Sequence, residues 1–429
     1  MKLWNERNKT DEHIEDFTTA KDKEIDMCIA EYDVEGTIAH ITMLETTGLL
    51  SKNEFVDLKR ELNNILDKIK NKEFIIKSGV EDIHSQIELE LTNKLGETGK
   101  KIHSGRSRND QVLTAIKLYM RDQIKKIAEI TSKLFELLIV KSEENKDFLM
   151  PGYTHLQSAM PSSFGLWFGA YAESLTDDMI LLLAAYEINN QNPLGSAAGY
   201  GSSFNIDRDL TTKLLGFDNL NYNSLYAQMT RGKNENICCF AIAGLASSLA
   251  KMAADICLFS SQEFKFINLD NNVTTGSSIM PHKKNPDVFE LIRARCNRLR
   301  SIPNETAMII TNLTSGYFRD VQVLKEIITG IFPEIQENLN IMIKGINAIR
   351  IRKNILENQT YDQIFSVEEV NRQVKDGIPF REAYKNVSDL IESGDFKADK
   401  RLSHTHIGSI NNLCNEKISR KMKMILDKF

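Results

Sequence analysis

The stretch DQVLTAIKLYMRDQIKKIAEITSKLFELL, residues 110–138, decides the fold of this 429-residue chain. Its apolar residues fall at Val112, Ile116, Tyr119, Met120, Ile124, Ile127, Ile130, Leu134, Leu137 and Leu138. That three-to-four spacing lines them up on one stripe of an α-helix. The pattern runs on to Phe148 without a proline or glycine, well past the length of an average helix. Residues 164–188, 237–266, 288–313 and 322–351 read the same way, and the whole chain has only 8 prolines. Long helices separated by short loops predict an all-α fold built around a helix bundle. Their apolar faces are broader than one chain can cover, so the protein is expected to oligomerise.

Outward from this core the rhythm changes twice. The first hundred or so residues are broken at Gly48, Asn71-Lys72, Gly79 and Gly96 to Gly99. After Asn358 the helical patterns shorten again, around Gly377-Ile378-Pro379 and Gly394. These shifts predict an N-terminal helical domain over 1–105, a central long-helix bundle over 106–357 and a small C-terminal helical domain over 358–429.

Hydrophobic residues at 41% and charged residues at 26% suit a globular chain with a large core. A net charge of −5 disfavours nucleic acid as a partner, because the bulk field repels phosphate. An anionic ligand must therefore be drawn in by a local basic pocket. The first residues, Met1 to Lys9, lack the apolar core of a signal peptide. The most apolar stretch, 240–259, is interrupted by Lys251 and Asp255 and reads as a buried helix, not a membrane span. Six scattered cysteines without ligand spacing suggest reduced thiols and a cytoplasmic location. His404-Thr405-His406 has no cysteine or acidic cluster nearby, so no metal is expected. The chain has no P-loop, GxGxxG or HExxH and no Ser-His-Asp order, and no cofactor is expected either.

Four polar islands interrupt the helical tracts. Ser104-Gly105-Arg106-Ser107-Arg108-Asn109-Asp110-Gln111 precedes the longest helix. Guanidinium forks and free N–H groups at a helix start suit a carboxylate or phosphate, although the segment also reads as a cap with Asp110 or Asn109 as N-cap. Pro151-Gly152-Tyr153-Thr154-His155-Leu156-Gln157 places a histidine in a turn, where it is either a satisfied structural group or a proton donor working near neutrality. Thr275-Gly276-Ser277-Ser278-Ile279-Met280-Pro281-His282-Lys283-Lys284-Asn285-Pro286 is a hydroxyl- and amine-rich loop of the kind that closes over a polyanion. It continues to Glu290, which lies one turn into the next helix. In the last island, Gly316-Tyr317-Phe318-Arg319-Asp320-Val321-Gln322-Val323-Leu324-Lys325, Gln322 and Lys325 share a helical face.

In this order the islands resemble the argininosuccinate lyase family of the fumarase/aspartase superfamily. The segments at 104–111 and 151–157 carry the resemblance within that superfamily. Asn192-Pro193-Leu194-Gly195-Ser196-Ala197-Ala198-Gly199 and Gly377-Ile378-Pro379-Phe380-Arg381-Glu382-Ala383 extend it over nearly the whole chain. The resemblance implies reversible anti β-elimination of argininosuccinate to L-arginine and fumarate in arginine biosynthesis. It also implies an all-α homotetramer with each site built from several subunits. Ser277 matches the base that takes the Cβ proton, with Ser278 an alternative. Lys283 and Asn285 match groups that stabilise the carbanion, His155 the histidine assisting the departing nitrogen, and Glu290 its carboxylate partner. Arg108, Asn109 and Thr154 match ligands of the succinyl part. Tyr317, Gln322 and Lys325 match further substrate contacts, and Asp82 and His84 a polar block near the site. Such a reaction makes a dianion and needs concentrated positive charge in a closed site.

Three features depart from the family pattern. Trp4-Asn5-Glu6-Arg7-Asn8 stands where the family commonly has Trp-Gly-Gly-Arg-Phe, and a substrate-binding serine lacks a counterpart in 17–23. Recognition of the arginine end is expected to differ, with Lys21 or Asp22 as a substitute. Tyr200, inside the glycine-rich run, is expected to alter one wall. Another lyase of the superfamily and a crystallin-like structural protein are the competing readings.

Overall fold

The computed structural model describes residues 12–19, 21–77 and 79–429. Trp4 to Asn8, where the sequence departs from the family's usual start, lie outside the described residues. The helices are α1 Glu12–Thr19, α2 Asp22–Ile25, α3 Ala30–Thr46, α4 Lys52–Lys70, α5 Ile83–Leu95, α6 Glu97–Lys100, α7 Arg108–Glu144 and α8 Phe164–Asn189. They continue as α9 Arg208–Leu214, α10 Ser224–Met229, α11 Lys233–Phe259, α12 Asp287–Leu299, α13 Ile302–Ile309, α14 Leu324–Asn347, α15 Ser366–Lys375, α16 Phe380–Ser393 and α17 Asn415–Leu426. Strands β1 Leu149–Thr154 and β2 Gln157–Ser163, β3 Gln191–Asn192 and β4 Asn219–Leu220, and β5 Ile267–Leu269 and β6 Ile349–Ile351 form three two-stranded sheets. The fold is all-α, as the periodicity predicts.

The differences from expectation are local. The helical tract expected over 288–313 is two helices, because Pro303 sits in the first turn of α13. Proline has no N–H to donate and its ring crowds the carbonyl a turn earlier, so it stands where a new helix starts. The tract expected over 237–266 stops at Phe259, and the long helix α7 stops at Glu144, before β1. In the N-terminal region the breaks fall where glycine permits them. Gly48, Gly79 and Gly96 all have positive φ, and Lys72 adopts φ 61° after α4.

Contacts group the residues into two compact units. The first comprises Met1–Ile127, Leu182–Ala243 and Leu299–Ile335. In it Val34, Ile41 and Leu44 of α3, Leu58 and Leu62 of α4, and Ile87 and Leu91 of α5 form one apolar core. A capping box starts α4, with Ser51 and Glu54 bonding each other's backbone N–H. Lys117 of α7 is fully buried and donates to Asn221 Oδ1 at 2.8 Å and to the Gln191 carbonyl at 3.1 Å. Burial pushes its ammonium pKa down to about 7.

The second unit comprises Ala128–Leu181, Gly244–Arg298 and Gln336–Phe429. Its core is aromatic: Trp167 packs on Phe168, Tyr171 and Phe259. Asp255, the charge that interrupts the apolar run of α11, accepts from Trp167 Nε1 at 3.0 Å and from the Tyr171 hydroxyl at 2.6 Å. Among the described residues α11 alone is long and apolar enough to cross a membrane, but more than half of its most apolar stretch is buried inside the protein. Gly165 opens α8 so close to α7 that an added Cβ would lie 2.5 Å from Lys146 Cα and 2.8 Å from the Ser142 carbonyl. Gly165→Ala is therefore expected to destabilise the protein by about 1–3 kcal/mol, read as a lower denaturant midpoint at unchanged slope.

Candidate active site

The first unit holds a cavity of about 210 Å³ lined by charged residues from helices distant in sequence. Asp82 is the N-cap of α5, accepting from the Ser85 N–H at 2.7 Å. It also accepts from Arg108 Nη1 at 2.9 Å, where α7 begins. Burial opposes ionisation of Asp82, but His84 and Arg108 outweigh it and hold the carboxyl below its usual range. His84 is buried, with Nδ1 2.8 Å from Asp33 Oδ1, and Gln111 Nε2 donates to that same oxygen at 2.9 Å. Burial likewise opposes ionisation of Asp33, and His84 and Arg106 outweigh it.

The cap of α7 is neither Asp110 nor Asn109. Ser107 takes that place, its Oγ accepting from Asn109 N–H while Asp110 Oδ1 accepts from Ser107 N–H. The other Asp110 oxygen accepts from the N–H groups of Gly195 and Ala197, both at 2.9 Å. Asp110 thereby ties the arginine-asparagine segment to the glycine-rich run. Burial pushes its carboxyl up to about 6.

Across the cavity, Lys325 Nζ lies between Asp22 Oδ1 at 2.8 Å and Asp26 Oδ1 at 2.7 Å. Asp26 and Asp22 outweigh burial and raise the lysine's pKa. Gln322 Nε2 donates to Asp22 and to the Thr18 carbonyl. Arg319 bonds Gln322 Oε1 at 3.0 Å and Glu81 at 3.2 Å. Tyr317 and Asn109 also line the cavity. Gly316, at φ 106°, directs the chain past the Tyr200 hydroxyl, which a Cβ would meet at 3.6 Å.

The structure thus brings Asp82, His84, Arg108, Asn109, Tyr317, Gln322 and Lys325 around one cavity. Sequence reading missed four further lining carboxylates and guanidiniums. Asp26 and Arg231 were not singled out, Glu81 was passed over beside Asp82, and Arg319 stood unassigned inside its island. Arg231 is buried, donating to the Val321 carbonyl at 2.8 Å and pairing with Glu235 at 2.9 Å. The available signal for Asp26 was its i, i+4 spacing from Asp22.

The remaining candidates belong to the second unit. β1 and β2 form a hairpin whose two-residue turn is His155-Leu156, at φ 54° and 58°. Such turns favour Asn-Gly, and left-handed backbone costs a branched or bulky residue about 1–2 kcal/mol. Strain of this kind concentrates at functional sites. Thr154 and His155 are exposed at the tip. The hydroxyl-rich loop is clasped at its base, Thr275 and Asn285 exchanging backbone bonds at 3.1 and 2.8 Å. Within it Ser277 Oγ accepts from the N–H groups of Ile279 at 3.3 Å and Met280 at 3.0 Å. Lys284 is engaged with Asn271, whereas Lys283 is exposed and its ammonium forms no hydrogen bond or ion pair among the described residues. Glu290 lies in the first turn of α12, exposed, with Arg293 at 3.9 Å; among the described residues it makes no bond to His155.

Residues 5–300 match the family described as "Lyase". The argininosuccinate lyase of Phocaeicola vulgatus is 56% identical over 429 residues, covering 100% of this chain and 96% of the relative. That of Thermotoga neapolitana is 39% identical over 388 residues, 90% of this chain and 98% of the relative. The chain belongs to the argininosuccinate lyase family. It is an enzyme, a lyase. Solved structures of other lyases share the fold of this family member. An EDDS lyase in complex with formate aligns at a TM-score of 0.77 with 22% identity, covering 94% of this chain and 86% of that one. The class II fumarase of Schistosoma mansoni aligns at 0.72 with 17% identity, covering 93% and 91%.

Proposed function

We propose that the protein catalyses the reversible anti β-elimination of argininosuccinate to L-arginine and fumarate. The observation that carries this reading is the pair of backbone N–H groups aimed at Ser277 Oγ. A serine hydroxyl is a weak base at its free pKa, and two donors stabilise the alkoxide that would take a Cβ proton. Ser277, not Ser278, is the base in this reading. Lys283, whose ammonium has no partner among the described residues, and Asn285 stabilise the carbanion, and His155 assists protonation of the departing guanidino nitrogen with Glu290 as its partner. Arg108, Asn109 and Thr154 hold the succinyl part, while Asp82, His84, Tyr317, Gln322 and Lys325 complete the substrate contacts.

These residues belong to two units of one chain, and the reading has the active site assembled from several subunits of a homotetramer in the cytoplasm. Large apolar side chains left exposed on the long helices, Ile180 and Leu181 on α8 and Phe240 on α11, support association. No nucleic acid, membrane or cofactor enters the reaction. The test is fumarate absorbance with argininosuccinate, adenylosuccinate, aspartate and malate as separate substrates. Turnover of argininosuccinate well above the others is expected, and its absence with purified, folded protein refutes the assignment.

A further inference from the structure

We propose that Asp22 is a specificity-determining residue whose carboxylate receives the α-ammonium group at the amino-acid end of the substrate. This rests on the lyase reading above and adds a ligand group to it. The arginines around the cavity are each matched by a carboxylate. Arg108 is matched by Asp82 at 2.9 Å, Arg319 by Glu81 at 3.2 Å, and Arg231 by Glu235, which lies behind the lining, at 2.9 Å. Among the described residues lining the cavity, Lys325 is the cation that faces two carboxylates, Asp22 at 2.8 Å and Asp26 at 2.7 Å.

The two carboxylates are not equivalent. Asp26 is fully buried and its second oxygen accepts from the Ile83 N–H at 3.4 Å, so it belongs to the framework between α2 and α5. Asp22 is the surplus negative group. A buried carboxylate in excess of its cations is costly, and an arriving cation relieves that cost. Burial already outweighs Lys325 and pushes the Asp22 carboxyl up, with Asp26 and Asp82 adding to the shift. A second observation shows that this cavity is built for a polar ligand. The His84 ring lines it at 2% exposure, and its Nε2 has no hydrogen-bond partner among the described residues.

Geometry supplies the identity of the cation. An α-amino acid carries an ammonium and a carboxylate on one carbon. Here a carboxylate, Asp22, lies against an ammonium and an amide, Lys325 and Gln322, in the complementary arrangement. Of the two residues open for the arginine end, Lys21 is exposed and spent on Glu326 at 2.6 Å. Asp22 is the one that lines the cavity.

The test is calorimetric titration of the full-length protein with L-arginine and with Nα-acetyl-L-arginine, which lacks the α-ammonium charge. The wild type is expected to bind L-arginine roughly tenfold or more tightly than the acetyl compound. Asp22→Asn should bring the two within about threefold by weakening L-arginine alone, Asp22→Ser should do the same, and Lys21→Ala should keep the wild-type preference. A wild type without the preference, or an Asp22→Asn protein that retains it, overturns the proposal. So does equal weakening of both ligands, which marks a purely structural role. Fumarate release by the same preparations separates the two ideas. Turnover of argininosuccinate with no ammonium preference sinks only the role of Asp22, and the preference without turnover sinks only the lyase reaction.

Discussion

Ser277→Ala is expected to lower kcat for argininosuccinate by about 10³-fold or more while changing KM little, because it removes the base from a site that still binds. The loop backbone is set by other contacts. Thr275 and Asn285 clasp its base, and Lys283 N–H bonds the Met280 carbonyl. Alanine therefore leaves the loop in place, and the N–H groups of Ile279 and Met280, exposed in the chain, lose an acceptor that water replaces. Ser278→Ala, whose hydroxyl has no such pair of donors, should cost less than about tenfold. An equal loss from Ser278→Ala would move the base by one residue, and near-normal kcat in Ser277→Ala would remove serine from the chemistry. His155→Asn is the companion variant. Asparagine tolerates left-handed backbone, so the hairpin turn survives and the imidazole alone is tested.

The particular residues show what a linear reading can and cannot reach. The long helices were legible because their apolar spacing persists over many turns, and the lyase loop because its twelve residues are contiguous. The cap of α7 was misassigned for a nonlocal reason. Asp110 has the chemistry of an N-cap, but one oxygen reaches 85 residues ahead to Gly195. The β1–β2 hairpin was invisible as strands because His155-Leu156 lacks the Asn-Gly signal of a tight turn. Asp22 stood out only as one of two candidates for the arginine end, and nothing local beyond its spacing from Asp22 marked Asp26. Only the approach of Lys325, from about three hundred residues further on, makes them cavity walls. Local patterns report periodicity and motif. They do not report which distant cation will arrive over a carboxylate.

That cation is also where stability and substrate binding meet, and Lys325→Met should expose both. Lys325 is 5% exposed, and its ammonium lies between two carboxylates, one of them fully buried. Methionine fills most of the volume but leaves Asp22 and Asp26 uncompensated, a loss of about 3–5 kcal/mol at pH 8 by the usual cost of breaking a buried pair. The pH dependence carries the diagnosis. Without the lysine, repulsion and burial raise the pair's proton affinity in the folded state above that of the unfolded chain. Folding then takes up a proton, so the variant's stability is greatest in acid and falls as pH rises through the raised value. The wild-type contribution behaves differently: the folded pKa of Lys325 is raised, so its stabilisation is complete at neutral pH and is lost only in strong alkali. Urea unfolding at pH 5 and pH 8 should therefore show a deficit that widens with pH. Adding Asp22→Asn to Lys325→Met should restore part of the stability at pH 8 without restoring substrate affinity, since the group that would hold a carboxylate is still missing. Equal stability of Lys325→Met and wild type at both pH values would mean that the two aspartates are solvated and that the charge count around the cavity is wrong.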